Sequence, residues 1–153
     1  MAFVFAPVYR VPPVAVPVRP RLSHRTGRIL FMDDEEPICR LATALLERMG
    51  YEANVVGDGS EVVREYGAAR TAGRPYDAVI LDLTVPGGMG GLEAMEELRK
   101  LDPEVRAIVS SGYSSDPVLA NYRAHGFLGM VPKPYKINDL ATTIQTVLGN
   151  GKS

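Results

Sequence analysis

The stretch Ile29–Pro37, ILFMDDEEP, decides how this chain is organised. Four apolar residues run directly into four consecutive carboxylates. Two anions about 4 Å apart repel by about 4 kcal/mol at an effective dielectric near 20. Charge placed like this at the end of a buried strand has to be offset by solvent, a helix N-terminus or a cation. Taken alone, the acids and Pro37 fit a solvated helix start, because acids favour that dipole and proline suits the first turn.

Outward from this stretch, short apolar runs recur at Ala78–Leu81, Ala107–Val109 and Leu128–Val131, with a weaker one at Ala53–Val56. Unbroken apolar runs suit strands covered on both faces. Helical patterns lie between them. Ile38, Leu41, Leu45 and Met49 recur at spacings of three and four, with Gly50 as a stop. Asp58 with Glu61 resembles a capping arrangement that opens a helix through Arg70. Leu92, Met95 and Leu98 mark a third helix, and Val118, Leu119 and Tyr122 a short fourth. Ile137, Leu140, Ile144, Val147 and Leu148 mark a fifth, which Gly149 is expected to stop. Five strands alternating with five helices predict a doubly wound α/β sandwich with a five-stranded parallel sheet and helices on its two faces.

Length and composition agree. The 153 residues suffice for one domain with a real core. A net charge of −1 hides an asymmetry: five arginines and no acid precede Asp33, and the remainder carries 12 basic against 18 acidic residues, a net of −6. Residues 1–27 hold prolines at 7, 12, 13, 17 and 20, and read as an extended or disordered tail without the features of a nucleic-acid or membrane binder. The domain is expected over 28–149, with a polar end at 150–153. The single cysteine, Cys39, excludes an internal disulfide and reads as a small core residue. No apolar run approaches the ~20 residues that span a bilayer, and no basic region precedes the first apolar run. A cytoplasmic protein is expected, with no membrane and no direct nucleic-acid partner.

In such folds ligands bind beyond the carboxyl ends of the strands, at the switch point of strand order. The first strand ends in Asp33 and Asp34, the third in Asp82, the fourth in Ser110 and Ser111, and the fifth in Lys133. If the strand order is 2-1-3-4-5, the three aspartates converge on a shallow pocket, and Ser111 and Lys133 approach from the other side. Each residue alone has a bland role as a cap, a turn or an exposed charge. As a set they define a chemistry. Three carboxylates favour a hard dication, and Mg²⁺ takes a few carboxylates while keeping several waters. A carboxylate beside Mg²⁺ can attack a phosphoryl group to form an acyl phosphate. The charge on the transferring group can be met by Mg²⁺, an ammonium, a hydroxyl and backbone amides.

The motifs FMDDEEPI, VILDLTVPGGMGGLEAM, AIVSSGYS and VPKPY, in this order, resemble the receiver domains of two-component response regulators, chemotaxis-type, from about Arg28 to Leu148. The resemblance implies a flavodoxin-like sandwich. It implies Asp82 as phosphoacceptor, and Asp33 and Asp34 as the acidic pair for Mg²⁺, with the backbone carbonyl of Thr84 completing the protein ligands. It implies Ser111 as the switch hydroxyl, Lys133 as the partner of a phosphoryl oxygen, and a cis bond before Pro134. Thr84 and Tyr113 would flank the path of a hydrolytic water. The expected donor is a histidine kinase or a histidine phosphotransfer domain, docking near Ile38. The fourth helix, fifth strand and fifth helix form the expected signalling face and a possible homodimer surface. LDLTVPGGMGG also resembles receivers at the C-terminus of hybrid histidine kinases, so a stand-alone receiver and a receiver cut from a kinase are both open. No DNA-binding output domain follows the fifth helix in this sequence.

Some positions depart from the family pattern. Met130 stands three before Lys133, where many receivers carry an aromatic switch residue, and Tyr113 and Tyr135 are the two candidates to take its place. Pro132 removes a ladder donor, which only an edge strand tolerates. The glycines of PGGMGG are expected to supply positive φ rather than a phosphate-cradling loop. Two other functions remain open: a small Mg²⁺-dependent phosphatase of the haloacid-dehalogenase type, which LDLTV resembles except that Thr84 stands where its motif has an acid, and a non-phosphorylated interaction module of the same fold. A flavin-binding sandwich is disfavoured, because no Ser/Thr-rich phosphate loop follows the first strand.

Overall fold

The computed structural model describes residues 27–112 and 116–150. Strands β1 (Arg28–Met32), β2 (Glu52–Val56), β3 (Ala78–Asp82), β4 (Ala107–Ser111) and β5 (Gly129–Pro132) form one sheet in the order β2-β1-β3-β4-β5. Every pairing is parallel. Helices α1 (Glu36–Arg48), α2 (Gly59–Thr71), α3 (Gly91–Leu101), α4 (Pro117–Ala120) and α5 (Ile137–Asn150) connect or follow them. The tail up to residue 26, Tyr113 and the end beyond Asn150 lie outside the described residues.

Side chains alternate across each strand, so one apolar run feeds two cores. Ile29, Phe31, Ile80, Ile108 and Val131 face α1 and α5, where they meet Leu46, Leu140, Ile144 and Val147. Leu30, Met32, Val79, Leu81 and Val109 face α2 and α3, where they meet Val62, Tyr66, Met95 and Leu98. Both faces of β1 and β3 are covered, which is why their sequences show no polar alternation. β2 and β5 are the edges, and Pro132 ends β5, where a missing donor costs least.

The helix ends follow local chemistry. Asp58 accepts a hydrogen bond from the Glu61 backbone N–H at 3.0 Å, as an N-cap should. Glu61 reaches back to the Gly57 N–H at 2.7 Å, one residue before the cap, rather than closing the reciprocal box on Asp58. α1 ends in a left-handed Gly50, with Tyr51 N–H on the Leu46 carbonyl and Gly50 N–H on that of Glu47. α2 ends the same way at Gly73. Both are six-to-one and five-to-two closures that satisfy carbonyls the helix leaves open. Gly149 does not stop the fifth helix, which runs on to Asn150. A glycine ends a helix when it turns left-handed, and Gly149 is not among the positive-φ glycines. α4 is a single turn capped by Asp116, followed by a 3-10 turn over Tyr122–His125 that closes on left-handed Gly126.

At the amino ends of the strands a polar network ties three elements together. The Arg28 N–H donates to Asp77 at 2.7 Å, and its guanidinium pairs with Glu52 at 3.1 Å while lying 4.4 Å from the Tyr76 ring centre. The Tyr76 hydroxyl accepts from Asn54 at 2.7 Å and donates to Glu65 at 2.8 Å. Among the described residues, no helix is long and apolar enough to cross a membrane.

Candidate functional site

At the opposite, carboxyl ends of the strands, the run of four acids separates into different roles. Asp33 continues the β1 ladder by donating its N–H to the Val56 carbonyl, and the residue is 1% exposed. Asp33 Oδ1 accepts the Glu35 N–H at 2.9 Å, which folds the chain sharply into α1. Asp34 and Glu35 are exposed at the cleft wall. Glu36 and Pro37 form the first turn of α1, and Glu36 pairs with Arg40 one turn on. The helix-start interpretation therefore holds for the second half of the run and fails for the first.

Asp82 closes β3, is 4% exposed, and sits in register with Ser110 of β4. Lys133 reaches in from the β5 end: its Nζ lies 2.7 Å from Asp33 Oδ2 and 3.3 Å from Asp82 Oδ1. Asp34, Glu35, Asp82, Thr84, Pro86, Ser111, Gly112 and Lys133 line one cleft of about 330 Å³. The structure thus brings together Asp33, Asp34, Asp82, Thr84, Ser111 and Lys133. The Lys133–Pro134 bond is cis. Ile38 does not line the cleft; it packs half-buried on the α1 and α5 side of the sheet. Tyr113 lies outside the described residues.

Burial pushes the Asp82 carboxyl from 3.8 up to about 6, and the Asp33 charge adds to the rise, against the pull of the Lys133 ammonium and a hydrogen bond from the Thr84 backbone. Burial works against the Lys133 charge as well, yet Asp33 and Asp82 outweigh it and raise the ammonium above its usual range. Cys39 donates its thiol to the Asp33 carbonyl at 3.3 Å. Burial and the charges of Asp33 and Asp34 raise its pKa, so the thiol is kept protonated.

The donor set fits Mg²⁺. Asp33, Asp34 and Glu35 each offer a carboxylate oxygen, all within 4.8 Å of one another. An all-oxygen anionic set beside an open cleft suits a hard ion that retains water. Glu35 is the member of this group that spacing alone did not single out, although it stands in the same acidic run. Asp82 is joined to Asp33 through the Lys133 ammonium instead.

The glycine loop works differently from expectation. Of its four glycines, Gly87 alone has positive φ, at 76°. Gly90 and Gly91 are needed for close approach: a Cβ there would sit 2.7 Å from the Leu83 and Asp82 carbonyl oxygens, respectively. Backbone crowding, which sequence does not display, seats α3 directly against the end of β3.

The response regulator receiver domain model matches residues 29–145. The sensor kinase CckA of Brucella abortus is 30% identical over 123 residues, covering 80% of this chain and 13% of that protein. The transcriptional regulatory protein YkoG of Bacillus subtilis is 33% identical over 122 residues, covering 80% of this chain and 51% of that protein. The chain therefore spans about half or less of these curated relatives. Among solved structures, the receiver domain of the sensor histidine kinase PA1611 from Pseudomonas aeruginosa PAO1, which holds magnesium in its active-site cleft, superposes with a TM-score of 0.71 at 25% identity, covering 81% of this chain and 98% of that one.

Proposed function

The chain belongs to the response regulator receiver domain family, and on that premise we propose that it is a phosphorylation switch in a two-component relay, with Asp82 accepting the phosphoryl group from a histidine kinase or a histidine phosphotransfer domain. The observation that carries this reading is the Lys133 ammonium shared between two buried carboxylates beside an open cleft. An Asp82 oxygen forms the bond to phosphorus, the bond from phosphorus to the donor imidazole nitrogen breaks, and the imidazole leaves. Asp33 and Asp34, with Glu35 beside them and the Thr84 carbonyl opposite, would hold Mg²⁺, which supplies charge neutralisation of the transferring group. Lys133 meets one phosphoryl oxygen and the Ser111 hydroxyl another. Bound Mg²⁺ would add to Lys133 in keeping the Asp82 carboxylate ionised against the burial that raises its pKa, and so keep it able to attack.

In this reading the protein is not an enzyme with external turnover; it assists its own phosphorylation and slow dephosphorylation. Thr84 and Tyr113 would tune water access to the acyl phosphate. Ile38 on α1 belongs to the donor-docking surface, and the face formed by α4, β5 and α5 passes the signal on or pairs with a second copy. Residues 1–27 are a tail to the domain over 28–149, and the protein works in the cytoplasm.

The test is incubation with acetyl phosphate and Mg²⁺, followed by mapping of a base-labile phosphoryl group. Modification confined to Asp82 supports the reading. Steady turnover of a phosphomonoester would point to the haloacid-dehalogenase alternative, and no modification at all to a binding module.

A further inference from the structure

Tyr135 lies two residues after Lys133, and Ser110 immediately precedes Ser111. Both are buried on the face of the sheet covered by α1 and α5, and their hydroxyls share a hydrogen bond of 2.6 Å. Ser110 is in register with Asp82 on one side and Val131 on the other. The Tyr135 ring meets Phe31 of β1 edge-on, with centres 5.8 Å apart. The phenol thus reaches from β1 to β4 beneath the end of β3, and the charges of Asp33 and Asp82 both bear on it. Lys133 itself is tied to β4 by its N–H on the Ser111 carbonyl at 3.0 Å. The hydroxyl pair adds a second tether two residues on, with only Pro134 between.

We propose that Tyr135, anchored through its hydroxyl to Ser110, is a positioning residue that holds the Lys133 turn against the end of β4 and so keeps the Lys133 ammonium between Asp33 and Asp82. A lysine side chain has four rotatable bonds and loses much freedom when fixed, so its place depends on a backbone that does not drift. Displacement of a charged group by about 1 Å is enough to cost orders of magnitude in a transfer step. The consequence for phosphoryl transfer rests on Asp82 being the acceptor; the placement of Lys133 does not.

The hydroxyl pair gives a clean test, because removing one partner strands the other in the interior, whereas removing both is close to neutral. Tyr135→Phe, Ser110→Ala and the double variant are made in the full chain. Three quantities are compared: thermal stability, exchange of the Lys133 ammonium protons with water in ¹⁵N-labelled protein, and the rate of phosphorylation by acetyl phosphate at saturating Mg²⁺. Tyr135→Phe is expected to speed exchange and slow phosphorylation by about tenfold each. The double variant should recover stability and neither of the other two. Unchanged exchange in both single variants, or exchange that recovers together with stability in the double variant, would overturn the tether. A parent protein that takes no phosphoryl group while the variants shift exchange would sink the acceptor role of Asp82 and leave the tether standing.

Discussion

The two poles of the sheet carry polar clusters of opposite character. At the amino ends, Arg28, Glu52, Asp77, Tyr76, Asn54 and Glu65 meet in pairs of complementary charge or matched donor and acceptor. At the carboxyl ends, Asp33 and Asp82 are buried with one ammonium between them, and Asp34 and Glu35 add charge at the rim. The first cluster is self-sufficient and holds strands in place. In the second the excess anion is buried, where an unbalanced charge is costly and a site for an added cation results. Both clusters hold more acid than base; the excess faces solvent at the amino pole and is buried at the carboxyl pole, and that separates a structural role from a binding one.

That contrast can be broken most directly at Asp82. Asp82→Asn should abolish phosphorylation altogether while raising the stability of the metal-free protein by about 1–3 kcal/mol at neutral pH, since it removes a buried charge that burial and Asp33 both disfavour. Mass spectrometry and chemical denaturation read the two effects; a destabilised variant would mean that Lys133 already offsets the buried charge at the carboxyl pole.

The pH dependence sharpens the same point. The folded-state pKa of Asp82, about 6, lies above its ordinary 3.8. The folded protein therefore holds this proton more tightly than the unfolded chain. The contribution is complete below the lower value and is lost as pH rises through the upper one. The stability of the metal-free parent relative to Asp82→Asn should fall by about 3 kcal/mol between roughly pH 4 and pH 7. A difference that stays flat with pH would show that Lys133 already neutralises the site.

On the proposed function, Mg²⁺ is the cation that would balance this pole. At about 100 times its dissociation constant it should stabilise the parent by about 2.7 kcal/mol, and Asp34→Asn should lose most of that gain. Calorimetric melts with and without the metal measure it. The smallest effect belongs to the amino pole. Tyr76→Phe removes the hydroxyl that serves both Asn54 and Glu65 and should cost about 1 kcal/mol without altering the phosphorylation rate. A slowed rate in that variant would join the two poles functionally and end the contrast.

Much of this was legible from residue order. The unbroken apolar runs announced strands covered on both faces; the order 2-1-3-4-5, now observed, came with the family resemblance and not with the runs. Asp33, Asp82, Ser111 and Lys133 each stand where an apolar run stops, which is a mark that one dimension preserves. Other features carried no such mark. Glu35 and Glu36 are chemically alike and adjacent, yet one lines the cleft and the other begins α1. Gly90 and Gly91 read as positive-φ positions, and are small because carbonyl oxygens press on them. Tyr135, a candidate stand-in for the aromatic missing at Met130, bonds Ser110 rather than Ser111 and lies on the opposite face of the sheet from Met130.

Sequence by itself determined the alternation of strand and helix, the parallel sheet and the strand ends at which charge gathers, because hydrophobic periodicity and turn chemistry act over a few residues. The tertiary structure alone decided which acids share a cation, which glycines yield space, and which hydroxyl anchors the lysine turn. Those outcomes depend on distances between segments far apart in the chain, where burial strengthens some charges' interactions and makes others costly.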